Sequence, residues 1–448
     1  MIKTTKLLTA VILSFTLNTV LAQTDTAKVH IFKLDACVNY AYEHQTAILN
    51  AKIDEEIAKY KVRETTAIGL PQITGVANFQ DFLDIPTSLV DGGNFGGQPG
   101  VLVPVQFGVK YQANPGINIS QLLFDGSYIV GLQAAKTFKE LSSRILTRTK
   151  VETAVAVTQA YYSVLIANER LSLLDANISR LQKTLNDTKQ LLKNGFVEKI
   201  DVDRLTVLAN NIETERSNVL RLLDLNNNLL KFQMGMPIGN KLIINEKIED
   251  IKFVKETIIA DTSAYINRPE YALAQTSKKL NQLDLKRYKS QSLPSLAAFG
   301  NFSRAFQSNN FNTLFDRSFP TSLIGLQLNV PIFSSGQRYY RVKQAKLAVT
   351  KSDNDLFNLQ NGINLQINQS QTAYINGLAS LENQKSNRTL AQEVLRVTKV
   401  KYEQGVGSSL EVTTAETALK EAETNYISAL YDALTNKVNL DKALGRIR

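Results

Sequence analysis

A ten-residue phrase written twice limits how this chain can fold. LPQITGVANF begins at Leu70, and LPSLAAFGNF begins 223 residues later at Leu293. Leu, Pro, Asn and Phe recur in register, and Gly75 meets Ala298. The phrases open a longer duplication. GINISQLLFDG (Gly116 to Gly126) follows the first and GLQLNVPIFSSG (Gly325 to Gly336) the second. Beyond them an offset of 210 holds without a gap, aligning Gly195 with Gly405, Val202 with Val412, Leu230 with Leu440 and Gly235 with Gly445. Each half reads short helix, strand, long loop, strand, very long helix, tight turn, helix.

From Ser127 to Lys193 there is no Pro, and Gly131 is the only Gly. This predicts a helix of roughly 100 Å at about 1.5 Å per residue. Leu171, Leu174, Ile178, Leu181, Leu185 and Leu192 keep a 3-4 alternation, with Thr188 in the remaining slot. That is a coiled-coil seam. Two shorter helices, Leu34 to Gly69 and Lys199 to Met234, are predicted to lie end to end along it. The second half repeats the arrangement with Asn267 to Leu293, Gln337 to Glu403 and Ser409 to Leu444. The expected organisation is a first repeat over 23–236, an insertion over 237–266 and a second repeat over 267–448. The insertion is charged and reads as irregular, lying across the helices.

In TSLIGLQLNVPIF, Leu326, Leu328, Val330 and Ile332 face one way, and Gln327 and Asn329 the other. In GINISQL, Ile117 and Ile119 oppose Asn118 and Ser120. Alternation over about ten residues marks a transmembrane β-strand, and equally any half-buried antiparallel strand. Four such strands are expected per chain, whereas transmembrane barrels need about eight or more. An open edge in lipid strands its N–H and C=O groups. The four strands therefore either pack on a soluble core or close with strands from other copies, of which three would supply twelve. The intervening segments, Gln80 to Gly108 and Gln307 to Thr321, read as flexible exposed loops. The first contains DGGNFGGQPG, which lacks the Lys-Ser/Thr and following helix of a phosphate loop.

No window offers the roughly 18 apolar residues of a transmembrane helix. Leu7 to Leu21 is shorter, sits behind Lys3 and Lys6 and ends in Val20-Leu21-Ala22. It is expected to be a signal peptide, 1–22, cut before Gln23. Gln23 offers no thiol for lipid attachment. Removing it leaves 49 basic against 41 acidic residues, a net charge of about +8. The two signs alternate along helical stretches, as on solvated faces, which argues against nucleic-acid binding. Cys37 is alone, so no intrachain disulfide is possible. His30 and His44 are the only histidines. With no His/Cys cluster at ligand spacing and no nucleophile motif, the chain is expected to be no enzyme and to need no metal or cofactor.

The duplicated LP strand, the LFDG and PIFSSGQ strand ends, the KYEQG turn and the terminal ALG resemble the TolC-like outer membrane efflux proteins, from Leu34 to Gly445. The resemblance implies a mainly α fold with a β-barrel portion. It implies a homotrimer with a twelve-stranded barrel in outer-membrane lipid and a coiled-coil α-helical tunnel in the periplasm. The tunnel tip would dock a periplasmic adaptor (membrane fusion protein) and an inner-membrane pump, for drug or metal efflux or type I secretion. Asn194, Gly195 and Phe196, with Gln404, Gly405 and Val406, fall on the family's adaptor-contact tips, amides replacing its valines. Tyr402 matches a gate tyrosine and Asp201 its acidic partner on the neighbouring coiled coil. The gate arginine falls on Gly407. Glu411 keeps one carboxylate of the constriction, and Thr414 occupies the other position. A shielded Tyr–Asp bond contributes about 1.5–3 kcal/mol, and converging Glu411 carboxylates would favour cations. Each residue also has a plainer reading: Tyr402 as helix-end packing, Asp201 as a helix-start carboxylate, Glu411 as a solvated face. The alternative for the whole chain is a soluble periplasmic coiled-coil scaffold or adaptor.

Overall fold

The computed structural model describes residues 29–94, 96–246, 248, 251, 253 and 264–447. The expected signal peptide, 1–22, lies outside them, as does much of the 237–266 insertion. In chain order come β1 (Val29–Phe32), α1 (Leu34–His44), α2 (Thr46–Ala67), β2 (Gln72–Asp81), β3 (Thr87–Asp91) and β4 (Leu102–Gln106). There follow β5 (Tyr111–Phe124), α3 (Gly126–Lys193), α4 (Lys199–Met234) and β6 (Lys241–Ile244). The second repeat supplies α5 (Pro269–Ser290), β7 (Ser295–Ser308), β8 (Ser318–Asn329), α6 (Gln337–Glu403) and α7 (Ser409–Ala443). The chain condenses into two compact units, and each draws on both repeats.

One unit holds the described residues of Thr46–Val155, Lys255–Asn376 and Asn436–Arg448. It contains a four-stranded antiparallel sheet in the order β2-β5-β7-β8. Register puts Ile73, Ile119, Gly300 and Ile324 in one row across it. That row and its neighbours form the apolar face. Thr74, Asn118 and Asn301 lie on the other, where Asn301 Nδ2 donates to Asn118 Oδ1 at 2.6 Å. Neither outer strand has a second partner among the described residues. The helices of this unit meet in a small core of Tyr271, Ile363, Ile367 and Ala443.

Three expectations about strands and loops change. The strand of TSLIGLQLNVPIF ends at Asn329, because Pro331 has no N–H for the ladder; Val330 and Ile332 lie beyond it. The segment Gln80 to Gly108 is not a bare loop: β3 and β4 pair as a hairpin. The Asp91 carboxylate fixes its glycine-rich turn by accepting from the N–H groups of Gly93 (2.8 Å) and Gly100 (3.1 Å). The insertion is not wholly irregular, since Lys241–Ile244 pairs in parallel with β1.

The other unit holds the described residues of Met1–Gln45, Ala156–Val254 and Gly377–Thr435. Its main core gathers Cys37, Tyr161, Val164, Leu230, Met234 and Leu434. A second cluster is the predicted seam: Leu174 and Leu181 of α3 are buried against Leu205, Ile212 and Val219 of α4, with Leu171, Ile178 and Leu185 beside them. Cys37 is fully buried, and burial together with the Glu246 carboxylate pushes its thiol up to about 12.

The helix expected from Leu34 to Gly69 is broken at Gln45, which is extended at ψ 124°. The Gln45 amide Nε2 donates to Phe232 O (3.3 Å), which also accepts from the Gly235 N–H, and to Gln233 O (3.1 Å), both in the last turn of α4. Gly235 closes α4 at φ 71°, and a Cβ there would lie 2.5 Å from His44 O. Within the sheet-containing unit the second repeat does the same job. Arg268, the counterpart of Gln45, donates from Nη1 to Ala443 O at 3.2 Å. Gly445 takes φ 67°, with Asn267 O 2.8 Å from its missing Cβ. The break is a docking joint, written twice.

The joint yields a test. Gly235→Ala must strain a left-handed residue and push backbone away, whereas Gly195→Ala, also left-handed, meets open space. Gly195→Ala should cost about 1 kcal/mol and Gly235→Ala clearly more. Thermal unfolding followed by circular dichroism would read this as the larger loss for Gly235→Ala; equal losses would remove the joint from the stability of the unit.

Candidate functional site

The two inter-helix turns share the same closure. In the first, the Gly195 N–H donates to Leu192 O (3.0 Å) and the Phe196 N–H to Leu191 O (2.9 Å). In the second, the Gly405 N–H donates to Tyr402 O (3.0 Å) and the Val406 N–H to Lys401 O (3.0 Å). These are Schellman closures, which need a left-handed residue after the helix; Gly195 and Gly405 take φ 80° and 74°. Each turn throws one apolar side chain outward. Phe196 is 76% exposed and Val406 78%, while Asn194 and Gln404 are exposed beside them. Both apolar tips stand in solvent, with no side chain covering them among the described residues.

The expected gate residues are not brought together within one chain. Tyr402 is half-buried, and its hydroxyl lies 3.4 Å from Thr188 Oγ1. Asp201 serves the first turn of α4: one carboxylate oxygen accepts from the Glu198 N–H at 3.0 Å, in a reciprocal capping box. The Asp201 carboxylate also accepts from the Ser409 hydroxyl at the start of α7 and lies 3.8 Å from Arg204 Nη1. Glu411 is exposed, and its N–H donates to Ser408 Oγ at 3.2 Å. At Gly407, where the family's arginine would sit, a Cβ would come within 3.0 Å of the Tyr402 backbone nitrogen.

Sequence reasoning missed a buried polar column. Ser409, Glu416 and Glu423 recur every seven residues on α7, which places them on one helix face. All three are buried, Glu416 at 4% and Glu423 at 6% exposure. Across from them on α3, Arg180 Nη2 donates to Glu416 Oε2 (3.1 Å) and to Asn177 Oδ1 (2.6 Å). Asn177 Nδ2 in turn donates to Glu423 Oε2 at 2.6 Å. Above this run, Lys399 Nζ donates to Thr184 Oγ1 at 3.1 Å. The seven-residue interval was visible in the sequence, but glutamates at such spacing ordinarily read as a solvated face.

Burial raises the Glu423 carboxyl above the ordinary glutamate range, and the nearby Glu416 adds to it. The Asn177 hydrogen bond and the positive Arg180 and Arg388 only partly offset this. Arg388 itself stacks over the Tyr426 ring at 4.3 Å. Glu215 goes the other way. Its burial opposes ionisation, but bonds from Lys420 (2.6 Å) and Arg170 (2.8 Å) prevail and lower its value. Among the described residues no group of three or more His, Cys, Asp or Glu could hold a metal ion.

Residues 263–446 match the family model described as outer membrane efflux protein. The outer membrane protein TolC of Vibrio cholerae is 23% identical over 346 residues, 74% of this chain and 76% of that protein. The proteases secretion protein PrtF of Dickeya chrysanthemi is 22% identical over 74% of this chain and 72% of its own length. Among solved structures, CusC superposes with a TM-score of 0.76 at 17% identity, covering 92% of this chain and 91% of that one. The open-state MtrE outer membrane channel of Neisseria gonorrhoeae gives 0.74 at 19% identity, covering 92% and 88%.

Two measurements probe the polar column. Arg180→Leu strands the buried Glu416 and should cost about 3 kcal/mol, the low end for breaking a buried pair because Arg180 is partly solvated. Adding Glu416→Leu should recover most of the loss; no recovery would mean the pair does not couple α3 to α7. The second is a pH series. The folded state holds the Glu423 proton more tightly than the unfolded chain does. Stability therefore falls as pH rises from the ordinary glutamate range through the raised folded value. Glu423→Gln lacks that fall, so its thermal advantage over the wild type should be near zero at the bottom of the ordinary glutamate range and grow as pH rises above it. A pH-independent difference would contradict the assignment.

Proposed function

The chain belongs to the TolC-like outer membrane efflux protein family, and from that premise we propose how one copy contributes to the working assembly. It is an outer-membrane channel protein of the efflux and secretion systems, not an enzyme. The family works with a periplasmic adaptor and an inner-membrane pump. In the proposed assembly, three copies join β8 of one to β2 of the next and close a barrel of twelve strands. Their helices continue it as a tunnel, and transport through this duct is passive.

The observation that carries the trimer is the open sheet. Four strands present unpaired N–H and C=O groups along both outer edges, and each such group left unsatisfied in hydrocarbon costs several kcal/mol. One face of the sheet is apolar and exposed, with Ile324 at 82% and Leu326 at 69%. A soluble scaffold would have to cover that face, and nothing in the described chain does. Phe196 and Val406 are the proposed adaptor contacts, flanked by Asn194, Gly195, Gln404 and Gly405.

For the gate, Tyr402, Asp201 and Glu411 act between copies. In one chain Tyr402 rests on Thr188, and Asp201 ties the start of α4 to Ser409 of α7. Closing three copies around an axis would bring the starts of these helices together. An adaptor seated on the tips would open the duct by competing for these hydrogen bonds. Glu411, exposed at the first turn of α7, would add three carboxylates to the constriction, attractive to cations.

Two experiments decide the reading. The chain should be recovered from the outer-membrane fraction as a heat-labile trimer; a monomer in the soluble periplasmic extract would sink the barrel. Combining Tyr402→Phe with Asp201→Asn should raise single-channel conductance in planar bilayers, and unchanged conductance would remove both residues from the gate.

A further inference from the structure

Arg304 stands on the wrong face of the sheet. Pairing places Ile117 beside Phe302 and Ile119 beside Gly300, with Ile324 and Leu326 continuing the apolar face on β8. Side chains alternate along a strand, so Arg304 shares the face of Phe302 and Phe306. The remaining charged residue in these four strands, Asp81, ends β2 at the margin. Arg304 is exposed and makes no ion pair or side-chain hydrogen bond among the described residues. It lies on an inner strand, so strands added at β2 or β8 by other copies would not cover it.

Its surroundings are unusually small. Register sets Ala77, Pro115 and Pro320 in the row of Arg304, and Gly75 and Ser322 in the adjacent row. Together with Ile117 and Phe302 they line a shallow recess on this face. A Cβ on Gly75 would meet nothing within 4 Å. One row further toward the inter-strand loops stands an aromatic cluster. Phe79, Tyr111 and Phe311 are in mutual contact at 5.6–6.4 Å, and Phe306 lies 5.3 Å from Phe315. Aromatic girdles mark the level where acyl chains give way to headgroups. The inter-strand loops lie at the sheet end away from the helices, so this girdle faces the external leaflet.

We propose that Arg304 and the recess beside it bind a phosphate-bearing acyl lipid of the outer leaflet. The inference rests on the outer-membrane reading and adds to it a ligand. A guanidinium just inside the girdle can reach headgroup level along its apolar stem, where a phosphate matches its paired N–H donors. The small residues leave space for the first carbons of an acyl chain to lie flat against the sheet. A free anion would gain the charge contact but not the apolar one, so the occupant is a lipid rather than inorganic phosphate.

The test uses the full chain purified from the outer membrane in dodecylmaltoside and incubated with lipid A. Bound lipid is counted by native mass spectrometry. Arg304→Gln should lower retention about fivefold, the effect of removing one basic side chain from an anionic lipid surface. Gly75→Leu, which fills the recess and leaves the charge, should lower it as well. Arg317→Gln, a basic residue over the Phe319 ring outside the recess, should retain lipid A like the wild type. Equal retention by wild type and Arg304→Gln would overturn the proposal, as would equal losses in Arg304→Gln and Arg317→Gln, or displacement by excess inorganic phosphate. If those results came from a protein that still fractionates with the outer membrane, the barrel would stand and the lipid site alone would fall. A wild-type chain absent from that membrane would overturn both.

Discussion

Backbone hydrogen bonding at the two outer strands governs everything else in this molecule. A sheet of four strands gives its inner strands a neighbour on both sides and leaves half of β2 and half of β8 unpaired. In water those groups would be hydrated, and the edge would be a hazard rather than an impossibility. In hydrocarbon there is no such recourse. The duplication answers this with geometry. Two strands per repeat, joined side by side, keep the same alternation of faces across the β5–β7 junction. Any further strand added at either edge can keep it too. An insertion of one residue in either phrase would turn that strand's apolar set to the wrong side, and this explains why Asn and Phe recur in register.

The helices meet a different requirement. On one side α3 packs on α4 through Leu174, Leu181, Leu205, Ile212 and Val219, a contact with no directional demand. On the other it meets α7 through Arg180, Asn177, Glu416 and Glu423, whose hydrogen bonds fix a single register. Replacing the buried ions with apolar residues would serve stability as well. Their value lies in specificity: a helix that slides by one turn loses every bond in the column at once.

Much of this was legible in the residues. The absence of Pro and the spacing of leucines gave α3 almost to its ends, and the two glycine turns emerged from the offset of 210. The alternation in GINISQL and TSLIGLQL gave the faces of the sheet. What escaped was set by distant partners. Gln45 has no helix-breaking chemistry of its own; it leaves the helix because the end of α4 offers two carbonyls. The hairpin in the long loop depends on one carboxylate bridging residues nine apart. Asp201 was matched to a tyrosine by resemblance, but inside one chain it accepts from Ser409. Nothing in its neighbourhood in sequence points to α7.

The two repeats have diverged where their chemistry matters most. At the docking joint, Gln45 and Arg268 differ in charge yet donate to equivalent carbonyls, so the fold tolerates the exchange. In the helix pairs it does not: Leu205, Ile212 and Val219 of α4 correspond to Ala415, Ala422 and Ala429 of α7. Conversely Ser409, Glu416 and Glu423 correspond to Lys199, Thr206 and Glu213, none of which is buried. One helix of the duplicated pair thus became a greasy partner and the other a hydrogen-bonded one. The same α3 therefore holds α4 by buried apolar area and α7 by a discrete set of bonds, and it is the bonded contact that sets the register.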